Sequence, residues 1–162
     1  QLPDEVTAKP RKPVDGNQGI LIVGVDKLLT QLARCCKPAP PDPIQGFVTR
    51  GKGVSIHRLD CPNFANLAAL HPERVIETDW GGQTTGVFPA DIVVDAHDRQ
   101  GLLRDISEIF TREKLNVIGV NTQSKQGKAH MGFTVEISNL LQLQRTLALI
   151  HDVEGVVGAR RA

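Results

Sequence analysis

Three cysteines and one histidine have the residue types and the spacing that could bind a metal ion. Cys35 and Cys36 are adjacent, and the segment GVSIHRLDC at residues 53–61 places Cys61 four residues after His57. Three thiolates and one imidazole match the ligands of a tetrahedral zinc site, and H-x3-C is a spacing that such sites use. Adjacent cysteines are unusual as the other ligand pair, because most sites separate them by two to four residues. The pattern alone leaves a metal site and no metal site open.

The same residues also suit thiol chemistry. Cys61 lies where we expect a helix to begin, and a helix N-terminus stabilises a thiolate. His57, one turn away, could act as its base. No third residue that would orient the histidine is evident, and small buried thiols without any reaction are common. A reactive cysteine and a purely structural role therefore stay open.

Basic residues are concentrated between Lys27 and Arg58. The chain of 162 residues has 19 Lys and Arg against 18 Asp and Glu, a formal net charge of +1. Within this stretch only Asp42 opposes the basic side chains, a pattern that suits a polyanion surface and also an ordinary solvated face. The basic residues are Lys27, Arg34, Lys37, Arg50, Lys52 and Arg58.

Several protein classes are not expected. No run of about 18 apolar residues is present, so we expect no membrane span. Three cysteines form no disulfide framework, and we expect a reducing, cytoplasmic setting. The segment GFVTRGKG begins like a P-loop, but Gly53 stands where the magnesium-binding hydroxyl would be, so we expect no nucleotide site. Since the chain starts at Gln1 and its only methionine is Met131, we expect a piece of a longer protein.

The first half is predicted to be a linker at residues 1–18 followed by a small α/β domain at 19–81. The linker is rich in proline and charge. A domain of this size buries little apolar surface, so a metal would help to stabilise it. The domain is predicted to begin with a strand at 20–25 and a helix that is capped by Asp26 and ends at the paired cysteines. That helix carries Leu28, Leu29, Leu32 and Ala33 on one face. A hairpin around Gly51-Lys52-Gly53, a short helix capped by Asp60 or Cys61 and a strand at 74–80 should follow.

The second half is predicted to be one domain at residues 88–162, after a linker at 82–87. Its strand and helix periodicities alternate in the order βαββαβ, which is that of a ferredoxin-like sandwich. The first helix should bury one face, and Ser138 or Asn139 should cap the second. The residues predicted on that buried face are Leu102, Leu103, Ile106, Ile109 and Phe110.

The segment DRQGLLRD opens the first helix of this domain. Gly101 allows close approach of the backbone, and the free N–H groups of a first helical turn could hold the carboxylate of an amino acid. Asn121, on the neighbouring strand, could bind an ammonium or amide group. The alternative is that Asp98 only caps the helix and Gly101 only eases the turn.

The chain resembles a known family in two segments. LLTQLARCCKPAPPDPIQGFVTRGKGVSIHRLDCPNF and DRQGLLRDISEIFTREKLNVIGVNTQS are similar to the C-terminal regulatory region of long RelA/SpoT proteins, and more to the RelA type. Such proteins make and degrade the alarmone (p)ppGpp in the stringent response. The resemblance covers about residues 20–162 and implies an α+β chain, with a zinc-finger-like (conserved-cysteine, ribosome-intersubunit) domain followed by a ferredoxin-like βαββαβ ACT domain.

The resemblance also implies functional residues and partners. The zinc ligands would be Cys35, Cys36, His57 and Cys61. RNA-binding residues would be Arg34, Lys37, Arg50, Lys52 and Arg58, facing large-subunit RNA and A-site tRNA on the ribosome. An ACT ligand such as a branched-chain amino acid would contact Asp98, Arg99, Gly101, Leu102, Leu103 and Asn121, at the seam of an ACT homodimer.

We therefore expect a non-catalytic regulatory fragment. Its parent would be a GTP pyrophosphokinase whose catalytic domains lie upstream, and this fragment would dock the enzyme on the ribosome. Two alternatives stay open. One is an amino-acid-sensing ACT module that controls (p)ppGpp synthesis or hydrolysis, and the other is a cysteine-based redox switch.

Overall fold

The computed structural model describes residues 20–22, 30–51, 53–81 and 86–162. They form two compact units, one within residues 12–88 and the other covering 89–162. Each unit mixes strands and helices, so the predicted α+β class is confirmed. Several predicted features lie outside the described residues, namely the linker at 1–18, Asp26, Lys27, Leu28, Leu29, Lys52 and most of the linker at 82–87.

The first unit is built on a four-stranded sheet. Its strands are β2 (Thr30–Leu32), β3 (Ile44–Thr49), β4 (Gly53–Arg58) and β5 (Val75–Ile76), in the order β2-β4-β3-β5. β2 runs parallel to β4, whereas β3 is antiparallel to both of its neighbours. A separate two-stranded sheet pairs β1 (Ile20–Ile22) with β6 (Thr78–Trp80). One helix, α1 (Pro62–Leu70), is followed by a 3-10 turn at Pro72–Arg74.

The predicted hairpin and short helix of this unit are confirmed. β3 and β4 pair along their whole length, and Gly51 and Gly53 have φ angles of 73° and 85°, a region that favours glycine. α1 begins at Pro62, a position where the missing N–H removes no helical hydrogen bond. Phe64 on this helix is buried against Phe47 of the sheet.

The predicted helix before the paired cysteines is wrong where the structure describes it. Thr30–Leu32 is a strand, in which Thr30 is buried and Gln31 is exposed. The pairing continues past the strand, because the Ala33 N–H donates to the Ile56 carbonyl at 2.8 Å. Short apolar runs do not distinguish a strand from a helix by spacing, and here pairing with β4 decides the outcome.

The predicted single strand at 74–80 is two strands. β5 pairs with β3, and β6 pairs with β1 in the other sheet, so the chain changes its partner at Glu77. Ile76 of β5 and Trp80 of β6 both pack on the core cluster of the first sheet.

The second unit has the predicted order βαββαβ. Its elements are β7 (Phe88–His97), α2 (Leu102–Arg112), β8 (Asn116–Lys125), β9 (Lys128–Ile137), α3 (Leu140–His151) and β10 (Val156–Arg161). The strand order is β10-β7-β9-β8. The β8–β9 hairpin is antiparallel, and β10 is antiparallel to β7. This arrangement confirms the ferredoxin-like fold.

The core of the second unit lies between its sheet and its helices. The buried residues of β7 alternate with half-buried ones, and Phe110 of α2 packs on Phe133 of β9 with ring centroids 5.0 Å apart. Leu103 differs from prediction, because it is 44% exposed while its neighbour Leu102 is buried. Asn139 caps α3, as one of the two predicted caps, by accepting the Gln142 N–H. Within the described ranges no helix is long and apolar enough to span a bilayer.

Candidate metal centre

The four predicted metal ligands come from three segments that meet beside the first sheet. Cys35 and Cys36 lie in the turn after β2, His57 lies in β4, and Cys61 directly precedes α1. Their ligand atoms, three Sγ and one imidazole nitrogen, all lie within 4.8 Å of one another. The structure therefore brings together residues that are up to 26 positions apart in the chain.

The distances within this cluster suit a tetrahedral ion. The Cys35 Sγ atom is 3.6 Å from both His57 Nδ1 and Cys61 Sγ, and Cys36 Sγ is 4.0 Å from His57 Nδ1. Zinc bonds of about 2.3 Å to sulfur and 2.0 Å to nitrogen place tetrahedral ligand atoms about 3.5–3.8 Å apart. The cluster could therefore hold a metal ion, and its donor set is compatible with zinc.

A tight turn lets both adjacent cysteines reach the cluster. The Lys37 N–H donates to the Ala33 carbonyl at 3.1 Å, which closes the turn around the two cysteines. Lys37 itself has a φ angle of 47°, in the left-handed region that few non-glycine residues adopt. The chain therefore reverses its direction at this turn, where a helix was predicted to end.

His57 is held in an orientation that suits a metal ligand. Its Nδ1 atom faces the cysteines, while Nε2 lies 3.0 Å from the Ser55 hydroxyl. A proton on Nε2 that is donated to this hydroxyl leaves the Nδ1 lone pair free. Burial lowers the pKa of His57, which keeps the imidazole neutral as ligation requires. The ring also packs on Phe64, with centroids 5.5 Å apart.

The three thiols have different environments. Burial raises the pKa of Cys36 to about 12, and burial also raises the pKa of Cys35. For Cys61, burial acts to raise the pKa, but hydrogen bonds from the backbone of Phe64 and from Cys35 outweigh it and the pKa is lowered. Cys61 at the start of α1 is thus the thiol that ionises most readily.

The predicted RNA-binding residues do not form one patch in the first unit. Leu32 pairs with Ile56, so the turn that carries Arg34 and Lys37 lies beside the end of β4, near Arg58. Arg50 lies in the hairpin turn at the other end of this six-residue strand, roughly 17 Å away along its axis. The basic residues therefore occupy two sites on the unit.

The guanidinium of Arg58 is engaged in three hydrogen bonds. Nε and Nη2 donate to the two carboxylate oxygens of Asp60 at 2.9 and 2.7 Å. Nη1 donates to the Cys36 carbonyl at 3.3 Å. This role of Arg58 and the hydrogen bond of Ser55 to His57 were both missed in the sequence analysis. Ser55 could have been found, because residues two apart on a strand share a face and Ser55 therefore had to lie beside His57.

The predicted ACT-ligand residues are distributed over a loop, a helix start and a strand. Arg99 donates to the Glu154 carbonyl and to the Asp105 carboxylate, each at 2.8 Å, so it braces the loop before α2. Gly101, with a φ angle of 83°, is the N-cap residue in place of Asp98. Leu102 is buried in the core.

Asn121 and the remaining candidates lie elsewhere on the unit. Val120 of β8 pairs with the buried Phe133, and the next residue, Asn121, pairs with Gly132. Because successive side chains of a strand point to opposite faces, Asn121 faces away from the helices. Leu103 is exposed on α2, and the backbone N–H of Asp98 donates to the Gly127 carbonyl of the β8–β9 turn. An amino-acid site formed by these residues stays a prediction.

Two family models match most of the chain. The family model of the RelA/SpoT RIS domain matches residues 20–81, and that of the ACT domain matches residues 84–161. Among solved structures, the ACT domain from the GTP pyrophosphokinase of Chlorobium tepidum covers 48% of this chain and 100% of its own, with 19% identity and a TM-score of 0.44.

The curated relatives are much longer proteins. A GTP pyrophosphokinase of Escherichia coli (strain K12) is 42% identical over 154 residues, which cover 94% of this chain and 21% of that protein. One of Haemophilus influenzae is 40% identical over 93% of this chain and 21% of its own length. The chain thus spans about a fifth of these relatives. It belongs to the RelA/SpoT family and carries that family's RIS domain followed by an ACT domain.

Proposed function

We propose that this chain is a non-catalytic regulatory region of a GTP pyrophosphokinase, the (p)ppGpp synthetase of the stringent response. It would dock the cytoplasmic enzyme on the ribosome and control the catalytic domains that lie upstream. The identity of at least 40% to two GTP pyrophosphokinases over most of this chain supports the parent activity. The domain limits of 19–81 and 88–162 are part of the proposal.

The four-ligand cluster carries this proposal. It joins the turn after β2, the end of β4 and the start of α1, and the apolar clusters formed by the described residues around it are small. A structural zinc ion in a closed site of three cysteines and one histidine contributes folding energy directly. Such an ion would hold the basic turn of Arg34 and Lys37 in a fixed position for a polyanionic partner.

The chemistry of the surface favours RNA backbone as that partner. Arg34 and Arg50 are exposed at two ends of β4, and phosphate contacts give affinity without reading sequence. Phe47, the only phenylalanine, tyrosine or tryptophan of β3 and β4, is buried and has the Arg74 guanidinium 5.0 Å from its ring centroid. Base stacking on this sheet is therefore not expected, and recognition would follow shape and charge.

Charge reversal at the two ends of β4 tests ribosome docking. The full chain would carry either Arg34→Glu with Lys37→Glu, or Arg50→Glu with Lys52→Glu. Each pair should weaken ribosome binding, and the slope of log affinity against log salt should fall by about 1 for each phosphate group that the variant no longer neutralises. Binding is measured by co-sedimentation with ribosomes at several salt concentrations.

A matched reversal outside the first unit serves as the control. Arg112 is exposed at the end of α2, and Arg112→Glu should leave the affinity and the salt slope near those of the wild type. Unchanged binding of both double variants, with the metal content intact, would contradict the docking role. Weaker binding with only one pair would assign the RNA-binding site to that end of β4.

A redox switch is a second candidate function, because two of the thiol sulfur atoms lie close together. Cys35 Sγ and Cys61 Sγ are 3.6 Å apart, so a small movement could join them in a disulfide. A metal ion and a disulfide compete for the same sulfur atoms. Metal content of the reduced protein therefore distinguishes the two functions, with about one equivalent expected for the metal centre.

A further inference from the structure

Arg58 connects the two parts of the candidate metal centre that are far apart in the chain. Its guanidinium bonds the carbonyl of Cys36 and both carboxylate oxygens of Asp60, the residue before Cys61. Its backbone N–H also donates to the Cys36 Sγ atom at 3.3 Å. A single residue thus touches one ligand directly and fixes the segment that carries another.

The guanidinium acts here through its shape. Three N–H groups reach three acceptors in two segments, which a planar fork of donors allows and a single ammonium group does not. The contact with the Asp60 carboxylate offsets the positive charge, so the arrangement adds little net charge to the site. Its effect is to hold the turn after β2 against the loop before α1.

We propose that Arg58 is a positioning residue of the metal centre, and that its pairing with Asp60 sets the geometry in which Cys36 and Cys61 bind the ion. This inference rests on the metal binding argued above. Outer residues that orient metal ligands typically change metal affinity about 10- to 100-fold when they are removed. The side chain of Arg58 is 19% exposed, so it is a poor candidate for the RNA contact that its charge suggested.

The test compares two substitutions of Arg58 that differ in charge. Arg58→Lys keeps the charge and loses the fork, whereas Arg58→Gln loses both. Because geometry is the proposed role, both variants of the full chain should bind zinc about 10- to 100-fold more weakly than the wild type, measured by competition with a chromophoric chelator. Bound Co2+ should show an altered d–d absorption spectrum in both, which a general loss of stability would not produce.

Two further variants complete the design. Asp60→Asn removes the carboxylate at an exposed position that does not threaten folding, and it should weaken zinc binding in the same direction. The double variant with Arg58→Lys and Asp60→Asn should lose less zinc affinity than the two single losses combined, because both substitutions act through one contact. Arg112→Lys and Arg112→Gln, in the second unit, are the matched controls and should leave the affinity unchanged.

The outcomes separate this inference from the metal site itself. Normal zinc affinity and a normal Co2+ spectrum in Arg58→Lys and Asp60→Asn would overturn the positioning role and leave the metal centre standing. Normal affinity in Arg58→Lys with weaker binding only in Arg58→Gln would also overturn it, since charge would then be what matters. A reduced wild-type chain that binds neither zinc nor Co2+ would overturn both proposals.

Discussion

At the scale of single residues, Gly46 shows what a glycine does inside a strand. It lies in the middle of β3, and a Cβ atom there would come within 2.7–2.9 Å of branched side chains of Val54, Ile76 and Thr78. Two neighbouring strands and β6 therefore close over a position without a side chain. Gly46, the first glycine of the P-loop-like segment, is therefore required by packing of the sheet. A phosphate-binding loop would lead into a helix, whereas here the turn at Gly51 leads into the strand β4.

Replacing this glycine should destabilise the first unit. Gly46→Ala forces three side chains apart in a packed site, for which about 1–3 kcal/mol of unfolding free energy is expected to be lost. Trp80, the only tryptophan of the chain, is a fluorescent probe of this unit during denaturant unfolding. Gly158→Ala is the control, since a Cβ there has no neighbour within 4 Å, and it should change stability by less than about 0.5 kcal/mol. Equal stability of Gly46→Ala and wild type would refute the packing argument.

At the scale of elements, the second unit was predictable from sequence and part of the first was not. Alternation over ten residues in β7 and in β9, and helical spacing over eleven and twelve residues in α2 and α3, leave little choice of structure. The strand at Thr30–Leu32 has three residues and depends on a partner 24 positions away, which no local pattern reveals. The paired cysteines then converge through a turn that ends at Lys37, with a backbone conformation that its residue type does not suggest.

The candidate metal centre was likewise only partly predictable from the sequence. The ligand types and the H-x3-C spacing could be found in the sequence, whereas the bonds of Arg58 to Cys36 depend on how two distant segments pack. Charge clustering left a polyanion surface and an ordinary solvated face open, and the structure places Arg50 at the other end of β4 from Arg34 and Lys37. Sequence proximity of charges is thus weak information about surface proximity when a strand lies between them.

The N-terminus of α3 allows a test at the element scale. Asn139 accepts the Gln142 N–H at 3.0 Å, and the Gln142 side chain accepts the Ser138 N–H at 2.8 Å. Asn139→Ala removes the cap and should lower the unfolding free energy of the second unit by about 1 kcal/mol. The helical circular dichroism signal follows this change during denaturant unfolding. Gln144→Ala, at an exposed position of the same helix, should leave stability unchanged or slightly raise it; equal effects of the two variants would contradict a capping role.

At the scale of the whole molecule, the two units differ in what holds them together. The second unit buries many large side chains, among them Phe110, Ile92, Ile106, Met131, Leu143 and Ile150. Among the described residues of the first unit there are two smaller clusters, one of which contains the metal-ligand candidate Cys61 itself. On the proposed function, metal binding would therefore matter to the stability of the first unit and not to that of the second.

Removal of the metal should consequently unfold the first unit alone. A ligand that binds only the folded state stabilises it by RT ln(1 + [L]/Kd), so loss of zinc should lower the melting temperature reported by Trp80 fluorescence. The transition followed by the helical circular dichroism signal, dominated by α2 and α3, should keep its melting temperature. The measurement is a thermal scan of the reduced chain, first zinc-loaded, then chelated, then zinc-restored, with metal content determined each time. Chelation that leaves the Trp80 transition in place, in a sample shown to contain no metal, would mean that the ion does not hold this unit together.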